Sequence, residues 1–209
     1  MKKFALLFGL VFAFQAALIA QPEDQENVVF NAHLWSTFEL VIVSGDEQEI
    51  TFLTAADYNN GVDESAGIVP GFTEITIEAT ENWNLTIQAL DDFQPYVGGP
   101  IGAGTGFIPI GNLGVWISED GDHGIGTGEV TYTCTAPASI QPLTLADDPL
   151  ISLGSNPNSG DASDNAFTLH WEMGTVNVGF GQTIFEQMAA GDFTTGDYTT
   201  TATLSLWQD

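Results

Sequence analysis

From Val28 onward apolar and polar residues alternate with a period of two, and no other feature constrains the fold as strongly. Val28, Phe30, Ala32 and Leu34 fall on one side, followed after Ser36 by Phe38, Leu40 and Ile42, with Asn31, His33, Thr37 and Glu39 between them. Successive side chains of a β-strand point to opposite faces, so alternation of this length predicts a half-buried strand, or two strands in line. The period returns at Ile75, Ile77 and Ala79, then at Trp83, Leu85, Ile87 and Ala89. Only a short polar link separates those two runs, which read as a pair of strands joined by a tight turn. Further strands are expected at 113–118, 129–135, 167–173, 176–180 and 198–207, with Thr abundant on their polar sides. The Gly- and Pro-rich stretch 98–111 and the segments 119–128 and 155–165 read as loops. Only 183–190 and 53–60 have a helical look. About eight to ten short strands with regular turn signals point to an all-β antiparallel sandwich, and the sequence favours one domain.

Charge narrows the function. The chain carries 28 acidic residues against two basic ones, Lys2 and Lys3. Those two precede an apolar run of 17 residues, Phe4 to Ala20, which ends in a small residue before Gln21-Pro22. A positive start, an apolar stretch and a small terminal residue make up a secretory signal peptide, and the run is short of the roughly 20 residues of a membrane span. Residues 1–20 are therefore expected to be removed on export, leaving 189 residues in an extracellular or cell-surface location. Without Lys2 and Lys3 the formal charge of −26 becomes −28, and no Lys or Arg is left. Nucleic-acid binding needs cations against phosphate, and P-loop cradles need a Lys, so both classes are excluded. Anionic membrane surfaces would repel such a chain. The acidity does not imply disorder: hydrophobic residues make up 44% and charged ones only 14%, with 14 Phe and five Trp. It does imply self-repulsion in the folded state, and hence stability that rises with ionic strength.

Chemical motifs are scarce. Cys134 is alone, so the domain has no internal disulfide, and its place in Thr133-Cys134-Thr135 reads as an inward strand position. There is no G-x-S-x-G elbow and no H-E-x-x-H, so the chain is not expected to be an enzyme. Carboxylates are too abundant for any pair of them to indicate glycoside hydrolysis. His33 and His170 read as strand residues and not as bases or ligands; His123, in the loop Glu119-Asp120-Gly121-Asp122-His123, is the least bland of the three. Calcium takes several oxygen ligands, and Glu119, Asp120 and Asp122 are the candidate set. They do not fit the twelve-residue calcium loop, because Thr131 stands where its closing Glu belongs. Asn84-Leu85-Thr86 matches a glycosylation triplet, a pattern common by chance.

Near the end, Gly196-Asp197-Tyr198 opens the last predicted strand. A Tyr there resembles the tyrosine corner of immunoglobulin-like sandwiches, whose hydroxyl ties down the preceding loop; equally, Tyr is a good strand former. Together with the N-terminal alternating strand, the segment around Trp83-Asn84-Leu85, and Ile108-Pro109-Ile110-Gly111-Asn112-Leu113, this looks like secreted fimbrial subunits, most similar to the spore-coat-U-like and archaic chaperone–usher group. The resemblance implies a pilin-like, immunoglobulin-like sandwich over residues 37–209 and a donor strand within 21–36. Val28, Phe30, Ala32 and Leu34 would fill a neighbour's groove, making the chain its own partner in a homopolymer. The usual disulfide of that group and all basic residues of the exported chain are absent here. The alternative is a monomeric adhesive or carbohydrate-binding module that presents an exposed Trp116 beside a calcium-loaded loop at Glu119, Asp120 and Asp122.

Overall fold

A computed structural model describes residue 32 and residues 34–134 and 140–209. Residues 1–20, Val28, Phe30 and His33 lie outside the described residues, and so do the expectations placed on them. Ser36–Asp209 forms one compact unit. Its elements are β1 (Phe38–Ser44), β2 (Glu49–Ile50), α1 (Ala55–Asn60), β3 (Val62–Asp63), β4 (Ile68–Val69), β5 (Phe72–Ala79), β6 (Trp83–Ala89), β7 (Gln94–Pro95), β8 (Leu113–Glu119), β9 (Val130–Tyr132), β10 (Gln141–Pro142), β11 (Asp148–Leu153), β12 (Ala166–Met173), α2 (Ile184–Ala190), β13 (Tyr198–Thr199) and β14 (Ala202–Gln208). Both helices start where a Thr can cap them. The Thr54 and Thr183 hydroxyls accept from the amides of Asp57 and Glu186, whose carboxylates accept in return from the Thr amides.

Two antiparallel sheets carry the fold. One has the order β1-β5-β12-β8-β10, with β3 continuing along β12 where β5 leaves off; the other runs β14-β6-β11-β9. Alternation explains how they stack. Ile75 and Ile77 of β5, Val115 and Ile117 of β8, and Phe167 and Leu169 of β12 face Trp83, Leu85 and Ile87 of β6 and Ile151 of β11 in one buried cluster. Trp83 and Phe167 meet edge to face across the sheets, ring centroids 5.9 Å apart.

The antiparallel sandwich expected from the alternation is the fold. Its connectivity departs from the immunoglobulin-like one. β1 and β5 share a sheet, but from β5 onward successive strands of the two main sheets alternate between them, β5, β8, β10 and β12 in one and β6, β9, β11 and β14 in the other. An immunoglobulin sandwich instead keeps consecutive strands together in the same sheet at several points. The winding here is jelly-roll-like. The supposed hairpin at 75–89 is likewise corrected: the link between β5 and β6 is a corner between sheets, and β6 pairs with β14 and β11. Residues 176–180 form no strand: 176–178 make a turn, with Gly174 and Gly179 at left-handed φ of 69° and 73° on either side of it. The Tyr198 hydroxyl does tie down the preceding loop. Tyr198 Oη lies 2.8 Å from the Thr194 carbonyl and 2.9 Å from that of Thr105, so its single hydrogen ties two loops to the start of β13.

Candidate functional site

Two surfaces of the larger sheet merit a functional reading. The first is its edge. Among the described residues β1 pairs only with β5, in a regular ladder from Phe38 to Ile42 that shifts register before Ser44. Phe38 and Leu40 turn inward and pack on the core. Val41, Ile42 and Val43 are respectively 41%, 46% and 58% exposed, so three successive aliphatic residues line an open edge. Soluble proteins guard such edges with Lys, Pro or inward charges. This chain has no Lys to use there, and Glu39 is the one charge in β1. Immediately upstream, Ala32 and Leu34 of the expected donor set are both exposed, as is Trp35.

The second surface is the outer face of β5, β12 and β8. Register sets Phe72, His170 and Trp116 in one row across three strands, and Glu74, Thr168 and Ser118 in the next. Trp116 is not the open platform that a sugar-binding role asks for. It is half-buried, and the imidazole of His170 stacks on it with centroids 3.7 Å apart and planes 7° from parallel. The reason is cross-strand pairing, which places the two rings directly opposite each other.

The acidic loop is organised by its own backbone. A Glu119 carboxylate oxygen accepts from the Ile125 amide at 2.6 Å, and the Thr168 hydroxyl donates to Asp120. Asp122 is exposed, and His123 Nδ1 lies 3.0 Å from Asn165 Oδ1. Nearby, hydrogen bonds from the Ser163 hydroxyl and amide hold the Asp161 carboxyl below the usual carboxylate range. These carboxylates stabilise turns. Among the described residues no three His, Cys, Asp or Glu side chains come together so as to hold a metal ion.

Other candidates resolve as structure. Cys134 is 1% exposed, and burial pushes its thiol up to about 11, so it stays protonated and unreactive at neutral pH. Asn84 of the glycosylation triplet is buried: its Oδ1 accepts from the Leu153 amide and its Nδ2 donates to Asp209. The arrangement that sequence reasoning missed centres on His170, which holds Ser118 and Glu64 as well as Trp116. No helix among the described residues is long and apolar enough to cross a membrane. Compared with known proteins, the chain matches no protein-family model and no curated sequence.

Proposed function

We propose that this chain is an extracellular structural subunit, exported by way of residues 1–20, that joins copies of itself into a filament or surface layer by strand addition. The observation that carries the reading is the open edge of β1, with Val41, Ile42 and Val43 exposed and no basic guard. An extended segment added there would satisfy main-chain groups of β1 that have no partner among the described residues, and cover the aliphatic side chains. The segment is the N-terminal ribbon of a neighbouring copy, with Val28, Phe30, Ala32 and Leu34 as the side chains it contributes.

The energetics are balanced closely enough for conditions to decide. Val41, Ile42 and Val43 are already half covered, so sealing them contributes roughly 2–4 kcal/mol, and the four donor side chains add about 4–12 kcal/mol, Ala32 least. Association costs about 4–15 kcal/mol in lost freedom. Repulsion between subunits of formal charge −28 comes on top of that. Salt reduces the repulsion and leaves the apolar contact in place, so assembly belongs to saline surroundings.

Removal of residues 21–36 tests the reading. The chain starting at Gln21 is expected to form polymers visible by electron microscopy at about 1 M salt, where the Debye length is about 3 Å. The chain starting at Thr37 is expected to stay monomeric and folded. Equal polymer formation by the two chains would refute donation by this segment.

A further inference from the structure

We propose that Ser118 is an activated nucleophile that accepts an acyl group from uncharged, activated esters, with His170 as its proton acceptor and Glu64 as the residue that positions His170. Ser118 Oγ lies 2.9 Å from His170 Nε2, and His170 Nδ1 lies 2.6 Å from Glu64 Oε2. A carboxylate accepts and cannot donate, so Nδ1 carries the hydrogen and Nε2 of the neutral ring is free to accept from the serine hydroxyl. Nucleophile, base and orienting carboxylate thus stand in the order that nucleophilic catalysis requires, each on the correct nitrogen.

Local structure explains how three distant residues meet. Ser118 pairs with Thr168 across the β8–β12 ladder, which makes His170 its diagonal neighbour on the same face. Glu64 arrives from the turn between β3 and β4, and that turn is anchored beside His170 because Asp63 pairs with Glu172. Asp63 also accepts from the Ser65 amide at 2.8 Å, fixing the turn on which Glu64 sits. The Trp116 ring blocks rotation of the imidazole, whose side chain is only 15% exposed. An ordinary surface histidine leaves at least one nitrogen to water. Here both are committed, and the ring is pinned between them.

The surroundings set the chemistry. Glu74 stands in the same cross-strand row as Ser118, and Asp120, just past the end of β8, accepts from the hydroxyl of Thr168 in that row. With Glu64 these carboxylates repel anionic substrates, and they disfavour the oxyanion of a tetrahedral intermediate. Reaction is therefore confined to esters with good leaving groups, and the site takes up one acyl group without rapid turnover. In the step itself the Ser118 Oγ–acyl carbon bond forms and the bond to the leaving oxygen breaks. The serine proton moves to His170 Nε2 and from there to the leaving oxygen or, when that group departs as a stable anion such as nitrophenolate, to solvent.

The test is incubation of the folded, full-length secreted chain with p-nitrophenyl acetate, following nitrophenolate release and locating acetyl groups by mass spectrometry of peptic fragments. The expected result is a burst of about one nitrophenolate per chain, with the acetyl group on Ser118. Ser118→Ala removes the burst. His170→Gln keeps a hydrogen-bonding side chain but slows it about 100-fold, the usual scale of general-base assistance. Glu64→Gln also slows it, and Glu64→Asp recovers part of the rate, which a merely structural role for Glu64 would not produce. Circular dichroism verifies that each variant is folded, and His170→Gln decides the matter should Ser118→Ala fail to fold. Absence of acetyl-Ser118 in the wild-type chain overturns the proposal, as does unchanged labelling in folded His170→Gln.

Discussion

Replacing Trp83 with alanine is expected to cost about 4–5 kcal/mol and to leave the sandwich marginal or unfolded at 37 °C. Trp83 is 0% exposed, sits at the start of β6 and meets Phe167 from the opposite sheet. Truncating a buried Trp removes about 3–5 kcal/mol through lost transfer energy and the cavity left behind. A further term arises because the indole Nε1–H donates to the Asn158 carbonyl at 2.7 Å. Asn158, 0% exposed, also receives and donates main-chain bonds through its side-chain amide, accepting from the Trp83 amide at 3.0 Å and donating to its carbonyl at 2.9 Å. Losing the indole leaves one buried carbonyl without its donor, worth roughly 1 kcal/mol. Against a total stability of about 5–15 kcal/mol, this is a large fraction. Urea unfolding monitored by circular dichroism checks it, and a loss below about 2 kcal/mol would mean that the two sheets are not joined here as described.

Raising the salt concentration from about 0.05 M to about 1 M is expected to stabilise the protein by roughly 5 kcal/mol, the second large effect. The exported chain carries 28 carboxylates and no Lys or Arg, and Glu172 is the one acidic residue buried among those described. Two carboxylates about 8 Å apart repel by about 0.5 kcal/mol in water. A compact surface holds many such pairs, while the unfolded chain spreads them out. At about 1 M salt the Debye length falls to about 3 Å, and most of this repulsion disappears. For a chain of this size each kcal/mol moves the melting temperature by about 2–4 °C, so a rise of roughly 10–20 °C is expected. A melting temperature that stays constant across the series would contradict the electrostatic part of the account.

Most strands were legible in the sequence because the alternating apolar residues of β5, β6, β8 and β12 do turn inward, although Asn84 and Thr86 of β6 and Glu172 of β12 are buried as well. The two helices showed only a helical look, and their Thr caps were not read. Partnership was not legible. The link between β5 and β6 looks like a hairpin turn in one dimension, and only the packing of Trp83 against Phe167 makes it a corner between sheets. β11 was hidden because Asp148-Pro149 resembles a loop, although Pro149 sits in its ladder opposite Thr86. The final segment was expected as one strand, yet it breaks between β13 and β14, which join different sheets. The candidate sites followed the same division. Exposed aliphatics on β1 lie within the N-terminal alternating run, whereas Ser118 and His170 are 52 residues apart and become neighbours only through register. Within its own segment His170 looks like any strand residue, and nothing there signals Glu64 or the stack on Trp116.

Hydrogen–deuterium exchange across Phe38–Ser44, compared between dilute low-salt and concentrated high-salt samples of the chain starting at Gln21, tests strand addition most directly. If a neighbouring copy pairs with β1, amides of this strand exchange at least tenfold more slowly in the concentrated sample, while those of the central strand β12 change little. Identical β1 exchange in the two samples, with the protein monomeric in both, would contradict assembly through this edge.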